Sequence, residues 1–365
     1  MKKTLLTFQN KLQEQGLEIG IVSSPTNVLY LTGFHCDPHE RLLSLLVFAD
    51  KSISPLLVVP SMETGQVKNS GWNGDIIGYS DTDMPFEMIL THINKIGSFK
   101  TVGIEKGFVT MNRYEEYASI LPQATFINID EALQMQRIYK TEEEMVKVRE
   151  AARLADKAIE IGMNEIAEGK TEMEILATIE FEMKKLGVSK MSFDTMVLTG
   201  ANSALPHGNP GNTKIKKGDL VLFDLGVVYE GYCSDITRTF AYGHVSEEQK
   251  TIYNTVLKAE LAAIDACVLG TELGKIDIAA RTVIEEAGYG EYFTHRIGHG
   301  LGMDVHEFPS MSATNKMPLE KGMLFTIEPG IYVPNVGGVR IEDDIYMTEN
   351  GPEIVTAFPK ELIIL

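Results

Sequence analysis

Cysteine is scarce: Cys36, Cys233 and Cys267 are the only three in 365 residues. Widely spaced and odd in number, they supply neither a disulfide framework nor a thiolate zinc cluster. Cys233 lies two residues from Asp235 and could be a nucleophile, but a small buried strand residue is the better reading. Long apolar runs are missing too; none approaches the roughly 18 residues that a membrane-spanning helix needs. The opening MKKTLLTFQNKLQEQG carries two lysines, but Thr7, Gln9 and Asn10 break its apolar positions. It reads as an amphipathic helix and not a secretory signal, so a cytoplasmic location is expected. Basic charge is outweighed, with 33 Lys and Arg against 51 Asp and Glu and a formal net charge of −18. A phosphate backbone demands basic surface, so no nucleic-acid partner is expected, and no membrane partner either. Low-complexity segments are absent.

What is present has two textures. Up to about residue 130, short apolar runs at 17–24, 42–50, 55–60, 75–80, 101–105 and 126–130 alternate with helical patterns at 85–96 and near 110–120. That alternation predicts an open α/β domain, in which no glycine loop of the phosphate-cradling kind occurs. Beyond it, Thr141-x-x-Glu144, Thr171-x-x-Glu174 and Ser246-x-x-Gln249 are capping boxes that open three helices, the first running to about residue 166. Long helices alternating with long strands predict a separate α+β domain. The boundary falls between about 131 and 141, giving domains of 1–132 and 133–365.

The chemistry concentrates in two hairpins of the second domain. In DLVLFDLGVVYEGYCSDITRTF (219–240) two β-rich runs flank Tyr229-Glu230-Gly231-Tyr232, and folding about that turn places Asp224 nearly opposite Asp235. LFTIEPGIYV (324–333) and GVRIEDDIYM (338–347) flank a second turn and place Glu328 near Glu342. Carboxylates brought together inside apolar strands repel one another and lose hydration, a cost that a metal ion removes. Two such hairpins suggest a duplicated half-barrel with pseudo-two-fold symmetry. Asp344 shares the strand face of Glu342 by alternation, but the Arg340-x-Glu342 pairing favours Glu342 as the ligand.

Histidines cluster in the same domain: His295, His299 and His306 in HRIGHGLGMDVHE (295–307), and His207 in the turn-rich ALPHGNP. His92 and His244 read as structural. Four carboxylates and one imidazole nearly neutralise two divalent cations. Hard oxygen donors with a single nitrogen suit Mn²⁺ or Co²⁺, with Zn²⁺ a further option. Such ions, about 3.5–4 Å apart, acidify a bridging water so that hydroxide is available near neutral pH. The remaining histidines could stabilise an oxyanion or protonate a leaving group.

Assembled, the motifs LFDLG, SDITRTF, HRIGHGLGMDVHE, TIEPGIY and VRIEDD resemble the pita-bread metallopeptidases: methionine aminopeptidase, aminopeptidase P and prolidase. The resemblance implies five metal ligands, Asp224, Asp235, His299, Glu328 and Glu342, with none missing. It implies catalytic roles for His207 and His306, a supporting one for His295, proton transfer by Glu328, and substrate contact by Arg340. The extra α/β domain resembles that of the aminopeptidase P, prolidase and creatinase branch, whose members cleave before proline. The loop GFHCDPHERLL (33–43) resembles one that approaches a partner subunit's active site in bacterial prolidases, which implies a homodimer with Asp37, His39 and Arg41 near substrate. The reading is an Xaa-Pro dipeptidase acting on proline-containing dipeptides through a metal-bridging hydroxide. The alternatives are an aminopeptidase P that releases the first residue of longer Xaa-Pro peptides, and a catalytically silent binding module on this fold.

Overall fold

A computed structural model describes residues 2–365, which divide into two compact units, one ending at Arg137 and one spanning Ile138–Leu365. The first unit runs α1 (Lys3–Glu14), β1 (Ile19–Val22), α2 (Pro25–Thr32), β2 (Ser44–Phe48), β3 (Leu56–Pro60), α3 (Thr64–Asn69), β4 (Asp75–Tyr79), α4 (Pro85–Ile96), β5 (Thr101–Ile104), α5 (Met111–Ile120), β6 (Thr125–Asn128) and α6 (Asp130–Arg137). Its six strands form one sheet in the order β4-β3-β2-β1-β5-β6. The β3–β4, β1–β5 and β5–β6 pairs are parallel, whereas β2 is antiparallel to both its neighbours. Because β2 is buried on both faces, its alternate side chains feed two cores. Leu45 and Val47 join Leu5, Phe8 and Leu12 of α1 on one side. Leu46 and Phe48 join Ile89 and Ile93 of α4 on the other.

The second unit begins with α7 (Glu142–Glu165) and α8 (Glu172–Lys185), continues through β7 (Lys190–Met191), β8 (Met196–Thr199), β9 (Leu220–Leu225), β10 (Val227–Tyr229), β11 (Tyr232–Cys233) and β12 (Ile236–Ala241), and returns to helix in α9 (Glu247–Asp265) and α10 (Leu273–Glu286). Then follow β13 (Gly298–Gly300), β14 (Glu307–Met311), β15 (Leu324–Ile327), β16 (Gly330–Val333), β17 (Gly337–Arg340), β18 (Asp343–Thr348) and β19 (Gly351–Ile354). Thr141, Thr171 and Ser246 each make the full reciprocal capping box, so α7, α8 and α9 start where the side chains can satisfy the first free amides. A helix pair followed by antiparallel strands occurs twice, which is the recurrence expected of two related halves. The first unit is α/β and the second α+β, of the pita-bread type.

Each half contains a hairpin that splits between two sheets. In the first, β9 pairs with β12 and β10 with β11. In the second, β15 pairs with β18 and β16 with β17. At the first split Gly226 is obligatory: a Cβ there would come within 1.9 Å of the Ser234 carbonyl oxygen. The two hairpins meet edge to edge. The Glu342 amide donates to the Thr237 carbonyl at 3.1 Å, and Thr239 and Arg340 exchange bonds between the Thr239 hydroxyl and the Arg340 backbone.

Candidate metal centre and active site

The acidic residues lie at the splits. Asp224 is the penultimate residue of β9, Asp235 falls between β11 and β12, Glu328 between β15 and β16, and Glu342 between β17 and β18. The second pairing matches its expectation: Ile327 faces Asp343 and Gly330 faces Arg340, so an unbroken register sets Glu328 opposite Glu342. The first needs correcting. Asp224 faces Thr237, not Asp235. Asp235 sits two positions along, where the chain leaves one ladder for the other and its side chain is freed from the sheet's alternation.

All four acids line one cavity of about 640 Å³ in the second unit, together with His207, His295, His299 and His306. Ligand atoms of Asp235, His299 and Glu342 all lie within 4.8 Å of one another, on side chains that are buried. His299 Nε2 is 3.7 Å from Asp235 Oδ2 and 3.5 Å from Glu328 Oε1. Its Nδ1 lies 3.0 Å from the Gly300 carbonyl, which can only accept, so Nδ1 carries the hydrogen. Burial pushes this imidazole down to about 3, so the ring is neutral and its Nε2 lone pair is turned toward the acids. That is the ligating tautomer.

Around it the carboxyls are under strain from one another. Burial, followed by the facing Glu342 and Asp224 carboxylates, raises Asp235 well above the ordinary range; burial and Glu328 do the same for Glu342. Burial raises Glu328 to about 8 despite the Arg340 guanidinium. Asp224 Oδ1 and Asp235 Oδ1 are buried without a hydrogen-bond partner. Orphaned carboxyl oxygens beside a bare imidazole nitrogen are a donor set that a divalent cation fits.

The surroundings hold these groups in place. The Thr237 hydroxyl donates to Glu342 Oε2 at 2.6 Å, and the Asp235 amide donates to Asp344 Oδ2 at 3.0 Å. Asp344 therefore faces the Asp235 backbone. Arg340, for which the resemblance implies substrate contact, lines the same cavity, and its guanidinium is engaged by neighbouring side chains. It donates to Asp224 Oδ2, to the Thr237 hydroxyl at 3.1 Å and to the Tyr332 hydroxyl at 2.8 Å. A 3% exposed side chain so engaged orients Asp224. His295 is likewise committed. Nδ1 donates to the Arg296 carbonyl at 2.8 Å, which leaves Nε2 of the neutral ring to accept from the Tyr332 hydroxyl at 2.9 Å. Burial pushes its imidazole down to about 4. The ring is thereby held against the Tyr332 hydroxyl.

His306 and His207 are different, lying on loops beside the cavity with no hydrogen bond to either ring among the described residues. The His306 ring stands edge-on to His299, with centroids 4.2 Å apart. The loop behind it is fastened by Glu307, whose carboxylate accepts from the Asp304 amide at 3.0 Å and from Lys140 Nζ at 3.1 Å, with both side chains of the ion pair nearly buried. Cys233 is buried and its thiol is pushed up to about 12, so it is no nucleophile. Asp37, His39 and Arg41 lie in the first unit, where Asp37 and His39 are exposed and Arg41 makes a bidentate pair with Asp81 at 2.8 and 3.1 Å.

A cavity lined by clustered acids and imidazoles at the junction of two split hairpins defines a metallohydrolase. More particularly, the chain belongs to metallopeptidase family M24, whose model matches residues 146–349, and carries a Creatinase/Prolidase N-terminal domain over residues 5–139. An uncharacterized peptidase of Staphylococcus haemolyticus is 50% identical over 350 residues, which cover 96% of this chain and 97% of that protein. The prolidase of Thermococcus sibiricus superposes with a TM-score of 0.94 at 35% identity, covering all of both chains. The X-Pro aminopeptidase of Thermotoga maritima superposes at 0.86 with 31% identity, over 97% of this chain and all of that one.

Motif reading missed several contributors. Arg296 lines the cavity and donates to Ser310 at 3.2 Å; its signal was its place inside HRIGH, between two histidines already singled out. Tyr332 and Thr237 stand inside TIEPGIY and SDITRTF, but like Lys140 they are brought to their partners, Arg340, Glu342 and Glu307, only in the folded chain.

Proposed function

We propose that this protein is a dinuclear Xaa-Pro dipeptidase. The observation that carries the reading is the convergence of Asp235, His299 and Glu342, with Asp224 and Glu328 on the same cavity wall. These five residues would hold two divalent ions, Mn²⁺ or Co²⁺ by donor hardness. Bound there, the ions supply Lewis acidity and an acidified water. Asp224 would be aimed by Arg340 and Glu342 by Thr237. Glu328, set at the open side of the cluster, takes up the proton at its carboxylate and passes it toward the leaving nitrogen. His306 and His207 stand on the cavity rim, where a neutral imidazole can donate to a carbonyl oxygen as it gains charge. His306 suits this because burial and the Arg296 cation hold its ring below the usual imidazole range.

A dipeptide substrate presents a free carboxylate directly after proline. Within this unit Arg296 is the cavity cation suited to meet it, since Arg340 is spent on Asp224. We assign Asp37, His39 and Arg41 to the active site of a partner copy in a homodimer, as the resemblance to bacterial prolidases implies. The cavity volume of about 640 Å³ suits a ligand of dipeptide size. No helix among the described residues is long and apolar enough to cross a membrane. The second reading is aminopeptidase P, supported by the likeness to the Thermotoga enzyme. Hydrolysis of an Xaa-Pro dipeptide and an Xaa-Pro-Xaa tripeptide should be measured after loading with Mn²⁺, Co²⁺ or Zn²⁺. Faster cleavage of the dipeptide is expected. Clear preference for the tripeptide overturns the dipeptidase assignment, and inactivity on both favours a silent binding module.

A further inference from the structure

His207 occupies the loop between β8 and β9, and its ring makes no hydrogen bond among the described residues. No hydrogen bond fixes the imidazole directly, so the course of the loop's backbone is what carries it to the cavity. The loop is gripped on both sides of His207 by one carboxylate. Glu172, the first residue of α8, is 0% exposed. Its Oε1 accepts from the Thr199 amide at 2.8 Å and the Asn202 side-chain amide at 3.0 Å, on the ascending side of the loop. Its Oε2 accepts from the Gly211 amide at 2.8 Å on the descending side. The backbone completes the grip, with the Glu172 amide donating to the Thr213 carbonyl and the Met173 amide to that of Gly211, each at 3.1 Å.

We propose that Glu172 is a positioning residue for His207, closing the loop so that the imidazole faces the metal cluster. Two features argue against a role confined to the helix. The α8 N-terminus is already capped by the Thr171–Glu174 box, so Glu172 is not needed for that purpose. A fully buried carboxylate that no cation pairs with among the described residues is also expensive. It is retained where several amides must be drawn to one point, and here those amides flank the histidine on both sides. The proposal rests on the catalytic reading of His207.

The test is a double-mutant cycle on the metal-loaded enzyme with an Xaa-Pro dipeptide. Glu172→Gln replaces one acceptor oxygen with a donor that faces Thr199 or Gly211, so one end of the loop is released. A displacement near 1 Å is enough for a loss of kcat of about ten- to a hundredfold, with KM and metal content little changed. In a His207→Ala background the same substitution should cost almost nothing further. Amide exchange at Thr199 and Gly211 should quicken in Glu172→Gln while the β9 amides of residues 221–223 stay protected. Asn202→Asp, which sets a second carboxylate against the first, should act in the same direction and carries the test if Glu172→Gln does not fold. Unchanged kcat, or losses that multiply in the double variant, overturn the proposal alone. Wild-type kcat in His207→Ala overturns the histidine's role and the proposal with it.

Discussion

Removing divalent metal and raising the pH should destabilise this protein in a way that few hydrolases without a metal cluster would show. Without a cation, Asp235, Glu328 and Glu342 share a buried space and hold protons that the unfolded chain would release. For Glu328, raised from 4.5 to about 8, the folded state binds an extra proton across that interval. Its contribution to stability is thus full below pH 4.5 and is lost as pH rises toward 8. The histidines act the other way: His295 and His299, pushed down to about 4 and about 3, cost stability only where the unfolded imidazole takes up a proton, below about pH 6.5. The two effects oppose each other below pH 6.5. Above it the acids act alone.

Between pH 6.5 and 8, one proton is worth about 2 kcal/mol at ~1.4 kcal/mol per pH unit. For a unit of the size of Ile138–Leu365, that is a fall in Tm of roughly 4–8 °C from Glu328 alone. Asp235 and Glu342, raised in the same direction, steepen it. Thermal unfolding of chelator-treated protein across this range, with and without saturating Mn²⁺, measures the effect. Metal binds the deprotonated acids, so the stabilisation by Mn²⁺ should grow with pH and flatten the profile. A metal-free Tm that stays level or rises from pH 6.5 to 8, or an Mn²⁺ increment equal at both, would refute the reasoning.

Further outcomes follow from single side chains. Asp235→Asn should lose bound metal and at least about 100-fold in activity, since even groups that merely orient ligands are worth 10–100-fold; full metal content by elemental analysis with full activity would rule the centre out. Lys140→Met leaves Glu307 charged in a buried site and should cost about 3–5 kcal/mol in denaturant unfolding, whereas Lys140→Met with Glu307→Gln should recover most of it. Arg41→Ala should raise KM for dipeptides several-fold without altering metal content, and unchanged kinetics would remove the first unit's loop from the active site.

Much of the fold was legible because local chemistry and global structure agree. The three capping boxes mark helix starts since a hydroxyl and a carboxylate three residues apart satisfy free amides wherever the chain lies. The continuous apolar runs at 17–24, 42–50 and 55–60 mark β1, β2 and β3, which are buried on both faces, whereas β4 and β6 are partly exposed. By contrast α10 begins at Leu273 behind Glu272, whose side chain makes no cap, and it carried no comparable signal. The acids were conspicuous as charges inside apolar strands, but their partners were not. Substrate contact by Arg340 is what the resemblance implies; only the folded chain shows that Asp224, 116 residues earlier, accepts from its guanidinium.

The misplaced register of Asp224 and Asp235 explains more than it obscures. A continuous hairpin would have paired every residue with one across from it, leaving acids at strand positions to alternate between core and solvent. Splitting each hairpin between two sheets removes four residues or their neighbours from regular pairing at the centre of the unit, where side chains from both halves can turn to one point. The bond from the Glu342 amide to the Thr237 carbonyl then locks the halves together at that point. Gly226 makes the first split sterically possible. Gly226→Ala should therefore do what no surface change nearby would. With an obstacle of backbone, not flexible side chain, at 1.9 Å, it should cost about 1–3 kcal/mol and weaken metal binding out of proportion to that loss, because Asp235 moves with Ser234. Calorimetric titration of the folded variant with Mn²⁺ separates the two effects. Affinity equal to that of the unmodified protein would show that the split is scaffolding and does not aim the ligand.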